Sequence, residues 1–107
     1  MTGENLVVLV TTASIEEAKA IAQTVVEERL AACASIIDRV ESIFRWEGAV
    51  QSEQESLLII KTTAARFQAL QTRIKAIHSY SVPEIIAVPI QMAAESYLAW
   101  LNRETQK

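Results

Sequence analysis

The residues that could carry chemistry in this chain are few, and the only histidine comes first among them. His78 lies in the segment His78-Ser79-Tyr80. Its imidazole could act as a metal ligand or a general base, and the alternative is a surface or capping side chain. Cys33 is the only cysteine, and it predicts a buried, inert thiol because cysteine is among the most buried residue types.

Carboxylates are more plentiful, but their spacing suggests no acid/base pair. Glu47, Glu53, Glu55 and Glu84 are therefore expected on solvated faces. Tyr80 and Glu84 flank Pro83 at the entry to a predicted strand. A ligand-binding loop would explain both residues, and so would simple turn chemistry.

The remaining candidates point to binding rather than to catalysis. Trp46 and Trp100 are either core or interface anchors, or platforms for a ligand. No serine lies in a nucleophile elbow, and the chain has no glycine-rich phosphate loop. The sequence therefore predicts a protein that is not an enzyme.

Length and composition predict one domain over residues 1–107, large enough to bury a core. The net charge of -3 gives no electrostatic reason to expect nucleic acid. The apolar runs are far shorter than the roughly 20 residues of a membrane helix, and no export leader is visible. A single cysteine fits a reducing compartment, so we expect a cytoplasmic protein.

The elements that must position these residues are organised around a long β-hairpin over residues 31–63. Val40, Phe44 and Trp46 alternate with charged residues, which predicts a strand with one buried and one wet face. A turn around Gly48 leads into residues 57–60, which are apolar on both sides and should be covered on both faces.

The rest of the chain predicts two further strands and three helices. Residues 6–10 read as a strand buried on both faces. Ser14 and Glu17 have the spacing of a capping box, which should begin a helix that runs to about Leu30. A second helix should begin near residue 63 or 64 and stop before Pro83. Residues 84–91 read as an edge strand because they contain Pro89, and a short helix around residues 97–101 ends the fold.

This order predicts an α+β, ferredoxin-like βαββαβ fold with an extended β2–β3 hairpin. The first and third strands should be central, and the second and fourth should be edges. A long edge strand that exposes Ile43, Phe44 and Trp46 would be an aggregation hazard in a monomer. We therefore expect copies of the chain to pair through the hairpin in a closed ring.

Several segments together resemble the CutA family of divalent-cation tolerance proteins, from about Leu6 to Leu101. The segments, in chain order, are Glu28-Arg29-Leu30-Ala31-Ala32-Cys33, Ser42-Ile43-Phe44-Arg45-Trp46-Glu47-Gly48, Ile60-Lys61-Thr62, His78-Ser79-Tyr80, Pro83-Glu84-Ile85 and Tyr97-Leu98-Ala99-Trp100.

The resemblance implies a tight homotrimer similar to the PII signalling proteins. It also implies a role in the response to divalent cations, with weak copper-type or zinc binding at subunit clefts. His78 would be the metal ligand, with Tyr80, Glu84 and Trp46 nearby as ligand-binding residues. Thr11 and Ile77 occupy positions where bacterial members carry further metal ligands. The alternative is a PII-like signalling or scaffold module for a small ligand or an unidentified protein partner.

Overall fold

The computed structural model describes residues 4–106. Residues 1–3 and residue 107, which the predicted domain includes, lie outside the described residues. The elements are β1 (Asn5–Thr12), α1 (Ile15–Glu27), β2 (Cys33–Trp46), β3 (Ala49–Thr63), α2 (Ala64–Ile77), β4 (Ile85–Pro89) and α3 (Glu95–Glu104).

The four strands form one antiparallel sheet in the order β2-β3-β1-β4. This order confirms the predicted ferredoxin-like arrangement, with β1 and β3 in the centre. Strand β4 is shorter than the predicted span of residues 84–91. It ends at Pro89, which lies opposite Leu6, and it forms an edge of the sheet, where a proline breaks the fewest ladder hydrogen bonds.

Helices α1 and α2 cover one face of the sheet and form the core with it. Alternate residues of β1 and β3 point into this core because side chains alternate between faces along a strand. The apolar stripe of α1 is buried as predicted, at Ala18, Ile21, Ala22 and Val25. Leu70 and Ile74 of α2 complete the same cluster.

The prediction that β1 and β3 are buried on both faces is wrong for the single chain. Val7, Leu9 and Ile59 point away from α1 and α2, and each is only half-buried. Helix α3 contacts β3 on this second face, where the Tyr97 hydroxyl lies 3.6 Å from Cys33 Sγ. Because α3 has only 10 residues, much of the second face is left open.

The hairpin extends beyond the helices and turns at Glu47 and Gly48. Both residues have positive φ, 50° and 83°, the backbone of a two-residue type I′ turn. A bulge between Ile37 and Val40 shifts the β2–β3 register. The predicted buried face is wrong here: Phe44 is 38% and Trp46 is 46% exposed, because none of the helices in residues 4–106 covers this part of the hairpin.

Helix α1 begins as predicted and ends earlier than predicted. The Ser14 side chain accepts a hydrogen bond from Glu17 N at the N-terminus. At the other end Arg29 adopts φ 58°, and the amides of Arg29 and Leu30 bond back to Val26 and Val25. This is a Schellman motif, which stops the helix at Glu27 instead of about Leu30.

Candidate functional site

His78 lies immediately after α2 and is fully buried. Its side chain has 0% exposure. Nδ1 accepts a hydrogen bond from the amide of Tyr80 at 3.0 Å, and Nε2 lies 2.8 Å from the carbonyl oxygen of Thr11. An amide can only donate and a carbonyl can only accept, so the proton of the neutral ring is on Nε2. Both nitrogens are thus engaged by the backbone.

Glu17 holds the same segment from the opposite side. Its carboxylate accepts hydrogen bonds from the amide and hydroxyl of Ser79, at 2.6 and 3.1 Å, and from the amide of Ala13 at 3.1 Å. Burial raises the pKa of Glu17, but these hydrogen bonds outweigh burial, and the net pKa is lowered. Glu17 Oε2 is also 3.7 Å from His78 Nδ1, but no ion pair forms there while Nδ1 accepts from Tyr80.

We name this group the His78 network: the side chains of His78, Glu17 and Ser79, with the backbone of Thr11, Ala13 and Tyr80. Sequence reasoning placed Glu17 in a capping box, and only half of that box forms. The Glu17 amide bonds to Ser14, whereas its carboxylate bonds to Ala13 and to Ser79, 62 residues away. No local spacing could have indicated a contact over that separation.

Tyr80 joins the His78 network to a second group of residues. Its hydroxyl donates to Glu55 Oε2 at 2.7 Å, and its ring lies 4.8 Å from the His78 ring. Burial is the largest cause of a raised Tyr80 pKa, followed by the hydrogen bond to Glu55 and the negative charges of Glu55, Glu17 and Glu53. The expectation that Glu55 lies on a solvated face is wrong, because the residue is only 9% exposed.

A cleft of about 800 Å³ opens between the hairpin and the loop before β4. It brings together all three predicted ligand-binding residues, Trp46, Tyr80 and Glu84, and it does not include His78. Phe44 and Ile43 add apolar surface to its wall. We call it the acidic cleft, because Glu53, Glu55 and Glu84 line it.

The donor chemistry of one chain does not fit a copper-type site. Copper prefers imidazole and thiolate ligands, but both nitrogens of His78 are bonded to the backbone and Cys33 contacts Tyr97 instead. Within residues 4–106 no three His, Cys, Asp or Glu side chains are grouped so that they could hold a metal ion. His78, the predicted metal ligand, therefore belongs to no such group among residues 4–106.

Fold and site together define a class of protein: a ferredoxin-like α+β subunit with an extended hairpin and an acidic cleft at the side of the hairpin. The family model described as CutA1 divalent ion tolerance protein matches residues 6–104. The chain belongs to this family, as the sequence resemblance implied. The family description names tolerance of divalent ions and no reaction.

Individual relatives agree with the family. The divalent-cation tolerance protein CutA of Thermus thermophilus is 50% identical over 99 residues, covering 92% of this chain and 96% of that protein. A solved structure from the same organism has a TM-score of 0.94 and 49% identity, covering 95% of this chain and 99% of that one. The Arabidopsis thaliana protein CutA, chloroplastic, is 44% identical over 95% of this chain, which spans about half (56%) of that relative.

None of the helices within residues 4–106 is long and apolar enough to cross a bilayer.

Proposed function

We propose that this protein acts in the response to divalent cations as a non-enzymatic homotrimer that binds cations weakly at its acidic cleft. The observation that carries this proposal is the composition of the cleft. Three carboxylates line it, and none of its described lining residues is Lys, Arg or His. Carboxylate oxygens are ligands for hard divalent cations.

The incomplete donor set of one chain supports a site at a subunit boundary. A divalent cation needs several oxygen ligands in a defined geometry, whereas one chain offers no group of three donors within the described residues. A second copy against the cleft would add donors. Affinity built from dispersed carboxylates and retained water would be weak.

Two exposed apolar surfaces support the trimer. Ile43 and Val50 are 71% and 64% exposed on the hairpin. Val7, Leu9 and Ile59 are half-buried on the open face of the sheet. Apolar surface and free strand edges of this kind mark association sites.

Metal binding and assembly can be measured together by native mass spectrometry, with isothermal titration as a second readout. The wild type should run as a trimer and bind Mn²⁺ or Zn²⁺ saturably, and Glu84→Gln should weaken binding. His78→Gln should retain binding, because the Gln amide can still donate to the Thr11 carbonyl. Loss of binding in His78→Gln with retention in Glu84→Gln would instead assign the metal to His78. A monomer, or adducts that no substitution changes, would contradict the proposal.

The aromatic wall of the cleft favours a second candidate function, a PII-like module that binds a small ligand. A volume of about 800 Å³ falls within the range of roughly 300–1,000 Å³ typical of small-molecule pockets. Trp46, Phe44 and Tyr80 supply surface that metal binding does not require. In this case a partner protein would respond to occupancy of the cleft, and capture of that partner, rather than cation affinity, would depend on Trp46.

Two further features belong to the proposal. We place the protein in the cytoplasm because Cys33 is a free thiol, which fits a reducing compartment. We propose no catalysis because His78, the natural general base, is held by the backbone on both sides. Reproducible turnover that Glu84→Gln abolishes would overturn this second point, and localisation of the tagged chain tests the first.

A further inference from the structure

Glu55 is a buried carboxylate with no cationic partner in the described part of the chain. The residue is only 9% exposed, and its carboxylate accepts a hydrogen bond from the neutral Tyr80 hydroxyl. None of the ion pairs formed among residues 4–106 includes it. A charge removed from water normally gains a counter-charge, and the acidic cleft is the direction from which one can reach Glu55.

The negative charge of the cleft favours a positively charged ligand. Glu53 and Glu84 add negative charge to that of Glu55, and the described lining carries no Lys, Arg or His. Carboxylates that surround a concave, partly desolvated surface concentrate a negative field and attract cations. A nucleotide or another phosphate ligand would meet like charges here, which disfavours binding.

Within a single chain, the geometry of the cleft fits an organic cation better than a metal ion. A metal ion needs several donors that converge on one point, and the described residues contain no such group. A protonated amine needs one or two carboxylates at ordinary hydrogen-bond distance. It also gains from aromatic faces, which attract cations through the ring quadrupole, and Trp46, Phe44 and Tyr80 line the same cleft.

We propose that the acidic cleft is a binding site for a small organic cation, an alkylammonium group held by Glu55 and Glu84 against Trp46. This inference rests on the proposed function only in taking the acidic cleft as the ligand site. The ammonium nitrogen would bond to the carboxylates, and the alkyl chain would lie on the aromatic wall.

Trp46 provides a direct reporter. The chain contains two tryptophans, so Trp100→Phe leaves Trp46 as the only one. The full chain in this background should be titrated at constant ionic strength with 1,4-diaminobutane, with neutral 1,4-butanediol as the matched control. We expect saturable quenching by the diamine and none by the diol. Isothermal titration of the unmodified protein provides an independent readout.

Matched variants identify the residues responsible. Glu55→Gln keeps an acceptor for the Tyr80 hydroxyl but removes the charge, and it should weaken diamine binding roughly tenfold or more, as expected for a lost charge-assisted hydrogen bond. Glu84→Gln should weaken binding less, because Glu84 is exposed. Glu16→Gln, an exposed carboxylate of α1 outside the cleft, should have no effect. Circular dichroism and the oligomer mass check that each variant is folded.

Three outcomes would overturn the inference: no saturable binding of the diamine, equal binding of the diol, or equal weakening by Glu55→Gln and Glu16→Gln. Mn²⁺ titration of the same samples separates this inference from the proposed function. Diamine binding without metal binding would reject the cation-tolerance mechanism and keep the amine site, and the reverse result would do the opposite.

Discussion

The His78 network and the acidic cleft meet at Tyr80, and they differ in whether the chain supplies the partners of its own polar groups. In the network both nitrogens of His78 and both oxygens of Glu17 are hydrogen-bonded within the chain. In the cleft Glu55 has one neutral donor and, among residues 4–106, no cationic side chain within 4 Å. A satisfied polar group stabilises a fold, whereas an uncompensated one indicates a place for a ligand. His78, the side chain most often used as a metal ligand or general base, therefore belongs to the region that stabilises the fold.

The largest expected effect comes from a substitution that disrupts the His78 network. His78→Ala removes both hydrogen bonds and leaves the Thr11 carbonyl and the Tyr80 amide unsatisfied in a buried site. We expect a loss of about 2–4 kcal/mol in the free energy of unfolding, measured by urea denaturation at fixed protein concentration because the proposed assembly would contribute to stability. His78→Gln, which can still donate to Thr11, should lose less. Equal losses would contradict the assigned roles of the two nitrogens.

Tyr80→Phe breaks the contact between the two regions. Among residues 4–106 it removes the only hydrogen-bond donor to the buried Glu55 carboxylate, so we expect a loss of about 1–3 kcal/mol. A double-mutant cycle with Glu55→Ala checks the cause, because the same substitution should cost less once the carboxylate is gone. Additive losses would show that the hydroxyl–carboxylate bond does not carry the effect.

The pH dependence of stability tests the hydrogen bonds of Glu17 in the His78 network. The pKa of Glu17 is lowered in the folded protein from its ordinary value of 4.5. Its contribution to stability is therefore fully present above about pH 4.5 and is lost as the pH falls toward the folded pKa. Glu17→Gln should be less stable than the wild type at pH 7, and the difference should shrink as the pH falls below about 4.5. A constant difference over this range, in denaturation at several pH values, would contradict the hydrogen-bond assignment.

The smallest expected effect lies in the acidic cleft. Glu84 is exposed, so Glu84→Gln should change the free energy of unfolding by less than about 0.5 kcal/mol. The same variant should weaken ligand binding, which separates stability from function within one loop. A large loss of stability in the thermal or urea transition would place Glu84 among the structural residues instead.

Local patterns were sufficient for most of the fold. Alternating and helical spacings located the strands and helices to within a few residues, and Gly48 and Ser14 marked the turn and the helix start. The end of α1 was missed because it depends on Arg29 in a left-handed conformation, which usually requires glycine or asparagine. The coverage of the sheet was also misjudged, because an apolar pattern does not show whether its cover comes from the same chain.

The candidate site also has a part that the sequence predicted and a part that only the tertiary structure revealed. By itself the sequence determined the ferredoxin-like order of elements, because the spacing of apolar residues is a local property. Its resemblance to the CutA family then pointed to Trp46, Tyr80 and Glu84 as ligand-binding residues. Only the tertiary structure decided that these three line one cleft, that Glu55 is buried beside them, and that His78 is held by the backbone. The physical reason is separation along the chain. Glu55 meets Tyr80 across 25 residues and Thr11 meets His78 across 67, and such contacts form only when the sheet closes.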